Sequence, residues 1–347
     1  MSAILKKIFY GLLVLPGVLA LVFVMFQGFG DPARLIVGQT GDKKTLENIR
    51  KDLNLDQPKW KQFLLYVNDV SPIAIHSTDD IKNKNLKGFF LGGETKVGLK
   101  IPYLRKSYQT KKDTTAILAE ALPATLILAL TAMMFACFFG ILFGVLSAVK
   151  KDTWIDKTSI IVSVAGISAP SFFIAIIVAY FFGYILHSYT GLNITGSLYE
   201  IDEVTGEKYL AIKNLLLPAF TLGIRPLAVI AQLTRSSMQE VLQQDFIRTA
   251  YAKGLSIKEV IFKHALRNAL NPVVTAITGW FAELLAGAFF IEYIFGWKGI
   301  GKITVNALEK LDYPVVMGAV LLSAVIFIGI NILVDVLYKI IDPRINV

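Results

Sequence analysis

The sequence predicts an all-α polytopic membrane protein with six transmembrane helices and a small extracytoplasmic domain between helices 1 and 2. The first observation is composition, since 54% of the 347 residues are hydrophobic, too many for a soluble domain of this length. The second is that the apolar residues come in runs of about 20, the length that crosses a bilayer as a helix. The third is that cations cluster between these runs in a topological pattern.

Six apolar runs are candidate transmembrane helices. Several are longer than about 20 residues, which permits tilt but fixes no angle. The first run follows Lys6 and Lys7, and no small-x-small cleavage signal follows it, so we interpret it as a retained span. The candidate spans are Ile8–Phe26, Leu122–Val149, Ser159–Leu186, Leu215–Leu233, Val273–Ile291 and Val315–Ile340.

The short loops predict the orientation of the spans. Lysine and arginine concentrate before span one, between spans two and three, between spans four and five, and after span six. With six spans these segments all fall on one side, which the positive-inside bias makes cytoplasmic, together with both termini. The opposite segments His187–Asn214 and Glu292–Pro314 are poorer in cations, although they are not free of them.

The polar segment after span one is too long for a simple loop and predicts a folded extracytoplasmic domain. Its lysines do not oppose the topology, because long loops are exempt from the charge bias. Within it, helices are expected at Thr45–Leu53 and Trp60–Val67. The predicted organisation is an N-terminal transmembrane helix over 1–29, the extracytoplasmic domain over 30–115, and a five-helix core over 116–347 with a cytoplasmic loop at 236–272.

The cytoplasmic loop contains the pattern of a helical hairpin. Gly254 can adopt the left-handed conformation that ends a helix. Ser256 fits an N-cap, and Glu259 three residues later completes a capping box. We therefore predict that one helix ends near Lys253 and that the next begins at Ile257.

The residues of the hairpin allow two interpretations of what it contacts. Leu242, Phe246 and Ala250 share one helical face at i, i+4 spacing, and Ala250 beside Gly254 makes a low-profile knob that could seat in the groove of a partner. Alternatively, the hairpin lies on lipid headgroups with its lysines toward phosphate. Leu255 and Val260 occupy the positions of a hydrophobic staple in either case. The residues by themselves leave both interpretations open.

Short motifs along nearly the whole chain carry a family resemblance. In and beside the hairpin they are Arg235-Ser236-Ser237-Met238, Asp245-Phe246-Ile247-Arg248-Thr249-Ala250, Ala252-Lys253-Gly254-Leu255 and His264-Ala265-Leu266-Arg267-Asn268-Ala269-Leu270. Elsewhere they include Gly30-Asp31-Pro32, Leu122-Pro123-Ala124-Thr125, Gly299-Ile300-Gly301, Asp312-Tyr313-Pro314 and Asp342-Pro343-Arg344. The hairpin resembles the EAA loop of ABC-transporter permease subunits. The whole chain resembles the B-type permease of dipeptide/oligopeptide (peptide/nickel) importers.

A few residues depart from the family pattern. Arg248 stands where general EAA loops carry glutamate and Arg267 where they carry proline, although both fit the peptide-importer branch. Lys298 replaces an expected proline. The region Tyr66–Gly98 matches poorly and looks like an insertion.

The resemblance implies a type I ABC importer permease in the bacterial inner membrane. The implied partners are a second, C-type permease, one or two cytoplasmic ABC ATPase subunits, an extracytoplasmic peptide-binding protein and membrane lipid. The chain carries no P-loop motif, so ATP hydrolysis is expected on a separate subunit, and we expect no enzymatic activity and no cofactor. Nucleic-acid binding is not expected, because no basic run interleaves with aromatics. The residues expected to couple to the ATPase are Phe246, Arg248, Thr249, Ala250, Lys253, Gly254, Leu255, Ser256 and Glu259.

Ionisable residues inside the spans are candidates for the translocation path. Arg225 and Glu283 lie in spans four and five, where an ionisable group usually faces a cavity or a partner. Either they pair with each other or Arg225 snorkels, or they line the path, Arg225 toward a substrate carboxylate and Glu283 toward an amine. Glu292 and the segment Phe295–Gly301 either line a gate or form a glycine-rich turn.

The predicted function is inward transport of short peptides. The same machinery could carry another solute, such as a nickel chelate, a sugar or an antimicrobial peptide. A membrane receptor or scaffold is the alternative from another class. No metal site is expected, because His76, His187 and His264 fall in separate parts of the topology. No catalytic site is expected, because no Ser/His/Asp or paired-carboxylate arrangement converges on one membrane face. Pro170 is the hinge candidate in span three.

Overall fold

A computed structural model describes residues 2–27, 33, 43–52, 54–202 and 204–341, which are mostly helical. The predicted all-α membrane class is confirmed, with two small sheets in addition. The described residues belong to two compact units, one within Met1–Ala121 and Ile303–Ile328 and the other within Leu122–Lys302 and Gly329–Ile345. The motifs Gly30-Asp31-Pro32 and Asp342-Pro343-Arg344 lie outside the described residues.

The elements of the N-terminal third combine an apolar helix with a small α/β segment. The helices are α1 (Ser2–Gln27), α2 (Lys43–Asp52), α3 (Lys59–Val70) and α4 (Thr78–Asn83). Strands β1 (Ile73–Ser77), β2 (Gly88–Gly92) and β3 (Thr95–Lys100) form an antiparallel sheet in the order β1-β3-β2. Helices α2 and α3 correspond to the two helices that the sequence predicts here.

Helices dominate the rest of the chain. They are α5 (Thr114–Val149), α6 (Trp154–Ser168), α7 (Ser171–Tyr180), α8 (His187–Thr190), α9 (Lys213–Leu242), α10 (Asp245–Ala252), α11 (Ile257–Glu259), α12 (Leu266–Gly287), α13 (Phe289–Ile294), α14 (Ile300–Glu309) and α15 (Tyr313–Ile341). Phe181–Ile185 and Val260–Ala265 are π-helical, and β4 (Tyr199–Ile201) pairs with β5 (Lys208–Leu210) as a hairpin.

The first unit is held together by apolar and polar contacts. Tyr66 and Val70 of α3 pack in one buried cluster with Leu19 of α1 and Leu321 of α15. The buried carboxylate of Asp312, just before α15, accepts hydrogen bonds from Ser107 Oγ at 2.5 Å and from the Tyr108 backbone N–H at 2.8 Å. The Asp312-Tyr313-Pro314 motif therefore fixes the loop that leads into α5.

Three of the described helices are long and apolar enough to cross a membrane, namely α5, α9 and the 313–333 part of α15. The number rises to four when α6 and α7, continued through the π-helical turn, are taken as one broken span. Helix α1 contains a shorter apolar stretch, Phe9–Met25. The count of six spans therefore stays a prediction.

The predicted third span is not one continuous helix. It breaks at Ala169–Pro170, and the segments on either side are bent by 109°. The cause is local, since proline cannot donate the helical hydrogen bond and forces the preceding residue toward extended backbone. Ala169 has ψ 135°, in agreement with that restriction. The break lies at Pro170, the residue that the sequence marks as the hinge candidate, and the crossing of the membrane by residues 159–186 as one span stays a prediction.

Candidate functional site

The predicted helical hairpin exists in the second unit. Helix α10 ends at Ala252, and Gly254 follows with φ +78°, in the left-handed region. A Cβ built on Gly254 would meet no atom within 4 Å, so the conformation and not space requires glycine here. Helix α11 then begins at Ile257.

A capping box begins the second helix of the hairpin. Ser256 Oγ accepts from the Glu259 backbone N–H at 3.3 Å, and the Ser256 backbone N–H donates to Glu259 Oε2 at 3.4 Å. Lys263 Nζ lies 3.3 Å from Glu259 Oε1. Hydrogen bonds from Lys263 and then from Ser256 lower the pKa of Glu259. The glutamate is therefore held ionised, and both orphan donors at the start of α11 have partners.

The inner face of the hairpin packs on the ends of three long helices. Ile247 and Ala250 of α10 share one buried cluster with residues of the following π-helical segment and of helices α5, α9 and α12. The remaining buried members are Val145, Ala148, Met238, Val241, Val260, Ile261, Ala265 and Ala269. The hairpin is thus close-packed directly on α5, α9 and α12.

The structure corrects the predicted docking knob. Ala250 is 6% exposed and lies inside the hairpin core, not on its surface. Leu242 belongs to the preceding helix α9, so it does not share a helix with Phe246. The burial of Ala250 is a tertiary effect that helical periodicity does not reveal.

The outer face of the hairpin is open to a partner. Phe246 is 39% exposed beside the buried Ile247, and Leu255 and Glu259 are half-buried. The Arg248 guanidinium lies 3.4 Å from Asp245, but both side chains are largely exposed and the pair contributes little to stability. The exposed members of the predicted coupling set, called the hairpin surface below, are Phe246, Arg248, Thr249, Lys253, Gly254 and Ser256.

A buried ion pair lies in the same unit and was not predicted from the sequence. The Asp156 carboxylate, at the start of α6, accepts from Arg235 Nε at 2.5 Å and from Arg235 Nη2 at 2.8 Å. It also accepts from Ser147 Oγ and from the Asp152 backbone N–H. Asp156 is 1% exposed and connects α5, α6 and α9. The one available signal was Arg235, which stands in a family motif.

Arg225 and Glu283 line one cleft but do not form an ion pair. The cleft has a volume of about 110 Å³, and its lining includes Trp280, Ser171 and Thr221. The Arg225 guanidinium lies over the Trp280 ring, 5.5 Å from its centroid. Among the ion pairs between described residues, none joins Arg225 to Glu283. The two charged side chains therefore share the cleft without neutralising each other by an ion pair.

Glu292, a possible path residue from the sequence, is enclosed by protein. Its side chain is 0% exposed, and Oε1 accepts from Thr125 Oγ1 at 2.7 Å. Oε2 accepts from the backbone N–H groups of Gly301 at 2.7 Å and Lys302 at 3.3 Å, at the start of α14. The carboxylate therefore satisfies helix N-terminal donors, a structural role that its burial explains.

The segment Phe295–Gly301 requires glycine for two different reasons. Gly296 has φ +66°, which makes the turn. A Cβ on Gly299 would lie 2.4 Å from both Glu292 carboxylate oxygens, and one on Gly301 would lie 2.5 Å from the Phe289 backbone. The segment is therefore a packed cap on Glu292, and the turn interpretation is the one that the contacts support.

Comparison with protein families identifies the chain. Residues 140–347 match the family described as "Binding-protein-dependent transport system inner membrane component". Residues 1–129 match the N-terminal family of the same membrane components. The chain belongs to this family. It is therefore an integral membrane permease component.

Curated relatives are similar to the permease over almost its whole length. The dipeptide transport system permease protein DppB of Alkalihalophilus pseudofirmus is 34% identical, over 96% of this chain and 97% of the relative. The di/tripeptide transport system permease protein DppB of Pseudomonas aeruginosa is 37% identical, over 95% and 94%. The glutathione transport system permease protein GsiC of Escherichia coli is 35% identical, over 91% and 89%.

A solved structure supports the fold of the permease. The methionine ABC transporter MetNI, in an inward-facing conformation, has a chain that covers 66% of this permease and 97% of its own length. The TM-score is 0.50 and the sequence identity 18%. This similarity confirms the type I importer permease fold that the motifs imply.

We predict losses of stability of different size for two replacements of Glu292 in the permease. Glu292→Gln can keep its amide oxygen toward the Gly301 and Lys302 N–H groups and turn its NH2 group toward Thr125 Oγ1, at a cost of about 1 kcal/mol. Glu292→Ala leaves all of these buried donors without an acceptor and costs about 3 kcal/mol or more. Thermal unfolding of the purified proteins measures the difference. Glu207→Ala, at an exposed site between β4 and β5, is the control. Equal, small losses in both Glu292 variants would show that the cap contributes nothing.

Proposed function

We propose that this chain is the transmembrane subunit of an ATP-driven importer and that it forms, with a second C-type permease, the translocation path for short peptides. The observation that carries the proposal is the capped hairpin, rigidly packed on α5, α9 and α12, in a chain of the binding-protein-dependent transport family. Relatives named for dipeptides, di/tripeptides and glutathione favour a peptide cargo.

The hairpin surface is proposed to dock on a cytoplasmic ATPase subunit. ATP hydrolysis then belongs to one or two partner polypeptides, and this chain is no enzyme. Movement of the docked hairpin would reach the long helices through the buried cluster around Ile247 and Ala250. Rocking of packed helices about a central site is how many transporters alternate access.

The proposed topology places the hairpin and both termini in the cytoplasm of a bacterial cell. Residues 30–115 then form an extracytoplasmic domain, between the helix of residues 1–29 and the core of residues 116–347. An extracytoplasmic peptide-binding protein would deliver cargo on that side. The positive charge of the segments around the hairpin supports this orientation.

The Arg225–Glu283 cleft is proposed to bind the two ends of a peptide. The guanidinium suits a carboxylate and the Glu283 carboxylate suits an amine, and both groups line a cavity without pairing. Trp280 holds the guanidinium by a cation–π contact. Glu292 is not part of this proposal, because it is buried in its own cap.

A charge exchange tests the cleft. We expect Arg225→Glu and Glu283→Arg each to weaken peptide uptake by at least tenfold, since a hydrogen bond to a charged group is worth about 1.5–3 kcal/mol. The double exchange should not restore uptake of the natural peptide, because no ion pair is being rebuilt. The exposed Glu207→Gln serves as the control for charge change. Full recovery in the double variant with unchanged specificity would identify a structural pair.

Two measurements test the proposed function as a whole. The tagged chain, purified in mild detergent, should bring with it a second permease and one or two ATPases. Cells that require an external peptide should grow on it with this chain and fail without it. A chain that purifies alone, together with unchanged growth, would favour a membrane receptor or scaffold. Uptake of a nickel chelate or a sugar in place of peptide would keep the machinery and change the cargo.

A further inference from the structure

One face of the three-stranded sheet in the first unit is apolar and uncovered. Side chains alternate across strands, so residues of one parity share a face. Register places Ile73, Leu99 and Phe89 in one row across β1, β3 and β2, and Ile75, Val97 and Leu91 in the next. All six are between 52% and 69% exposed. These six residues are called the outer sheet face below.

The opposite face of the same sheet mixes apolar residues, Ala74 and Phe90, with buried polar ones. His76 on β1 and Lys100 on β3 are buried, and Lys100 Nζ donates to the backbone carbonyl of Asp69 in α3. Asp69 in turn pairs with Lys84 at 2.7 Å and Arg105 at 3.1 Å. A sheet in water shows its polar side to solvent and packs its apolar side inward. This sheet instead buries two ionisable side chains and leaves six large apolar ones exposed, which indicates that its outer face meets an apolar medium.

Helix α3 fixes the position of the sheet along the axis of the apolar helix α1. Phe63 packs against Phe23 of α1, with ring centroids 5.3 Å apart, and Tyr66 and Val70 cluster with Leu19. Leu19 precedes the helix end at Gln27 by eight residues, about 12 Å of helix. Helix α3 therefore runs alongside the apolar part of α1, not above it.

The sheet is fixed to α3 at that level. Asn68 of α3 donates from Nδ2 to the Ile75 carbonyl at 2.7 Å and accepts from the Ile75 backbone N–H at 2.9 Å. Only two residues separate α3 from β1. On α3 itself Trp60 is 66% exposed, and tryptophan is enriched at membrane–water interfaces. The sheet cannot move far from the depth at which α3 meets α1.

We propose that the outer sheet face inserts into the lipid leaflet at which α1 ends, the outer leaflet in the topology proposed above. The occupant of this face is lipid acyl chain. Contact with lipid removes six large apolar side chains from water, and burial of apolar surface is favourable in proportion to its area. Amphipathic helices that present one apolar face in this way lie within the boundary between headgroups and acyl chains. The sheet is assigned to the same boundary, where water and headgroups can still bond the open strand edges.

The borders of the face fit this position. Lys87 has the same strand parity as Phe89 and Leu91, is exposed, and lies beside Ile101, whose N–H donates to the Lys87 carbonyl at 2.9 Å. A lysine at the edge of an apolar surface can extend its ammonium to lipid phosphate. The other border is polar, with Ser77 paired to Thr95. The apolar width is therefore limited to the middle rows of the sheet.

A protein partner explains these observations less well. A transient partner, such as the binding protein, forms an interface that is only about as apolar as an ordinary protein surface. The two middle rows of the outer sheet face contain no polar side chain. The packing of α3 beside the apolar run of α1 places the same face next to lipid. We therefore assign lipid, and treat a protein occupant as an outcome that the experiment can return.

Spin-label accessibility in the assembled transporter tests the assignment. The single cysteine, Cys137, is first replaced by serine. Val97→Cys, in the centre of the outer sheet face, and Glu94→Cys, in the exposed turn before β3, each receive a nitroxide in vesicles of phosphatidylcholine and phosphatidylglycerol. We expect the label at Val97 to collide several-fold more with oxygen and several-fold less with a water-soluble nickel chelate than the label at Glu94.

Two other results would overturn the assignment. Equal access of the nickel chelate at both positions would place the face in water. Low access of oxygen and of the chelate at Val97 would mean a protein cover, such as the second permease, the binding protein or another copy of this chain. The readout does not require transport, so loss of peptide uptake would not mimic either result. Labelling of Glu94→Cys by an impermeant maleimide on intact cells tests the proposed topology separately.

Discussion

Replacement of Phe246 by alanine should weaken the association of the permease with its ATPase and reduce peptide uptake without unfolding the chain. Phe246 is the large apolar residue on the hairpin surface, and exposed aromatic side chains are frequent hot spots of binding. Loss of such an anchor costs about 2 kcal/mol, roughly a 30-fold weaker complex. The amount of ATPase that co-purifies at increasing dilution measures this effect.

The neighbouring Ile247 supplies the matched comparison. It is 1% exposed and belongs to the buried cluster of the hairpin. Ile247→Ala should therefore lower the thermal stability of the permease, by about 2–5 kcal/mol, because it leaves a cavity in a packed core. Phe246→Ala should leave the melting temperature unchanged. The comparison of these two adjacent residues thus distinguishes a loss of docking from a loss of stability.

A third variant controls for loss of an exposed aromatic. Tyr189 on α8 is 88% exposed and, in the proposed topology, lies on the other side of the membrane from the hairpin. Tyr189→Ala should retain both ATPase binding and stability. If Phe246→Ala also retains the full amount of ATPase and wild-type uptake, the coupling role proposed for α10 is rejected. The hairpin would then be better explained as a helix that rests on lipid headgroups.

The sequence predicted those parts of the site that depend on local chemistry. The break at Gly254, the cap at Ser256 and the box with Glu259 all follow from residues within five positions of one another, and the structure confirms each. The bend at Pro170 was predicted for the same reason. In each case the backbone preference of one residue type decides the conformation without help from distant contacts.

The missed features depend on contacts between distant segments. Periodicity placed Ala250 on a docking face, but packing against α5, α9 and α12 buries it. The sequence made Glu292 a possible residue of the translocation path, but the fold places Thr125 and the start of α14 against its carboxylate. The Asp156–Arg235 pair joins residues 79 positions apart, a separation at which a single sequence contains no pairing signal.

Replacement of Asp156 by alanine should destabilise the permease strongly. The change leaves the Arg235 guanidinium, Ser147 and the Asp152 N–H without their shared acceptor in a largely buried site. Removing one partner of a buried ion pair costs about 3–5 kcal/mol, and we expect the lower end because 23% of the Arg235 side chain is exposed. Thermal unfolding in detergent and the yield of folded protein measure the loss.

Asp152 provides a control in the same loop. It is exposed and has φ +64°, so Asp152→Gly removes a carboxylate four residues away without adding backbone strain. This variant should unfold close to the wild-type temperature. A loss as large as that of Asp156→Ala would mean that the loop responds to charge in general and not to the ion pair.

The double variant Asp156→Leu with Arg235→Met decides what the pair does. If it acts only as packing between α5, α6 and α9, two apolar residues of similar size should recover most of the stability, because no buried charge is left without a partner. Uptake should then recover in parallel. Recovered stability with uptake still absent would show that transport requires the pair itself, as expected if its bonds open and close when the hairpin moves the helices. A double variant no more stable than Asp156→Ala would contradict both accounts, since the instability would then come from lost shape and not from an unpaired charge.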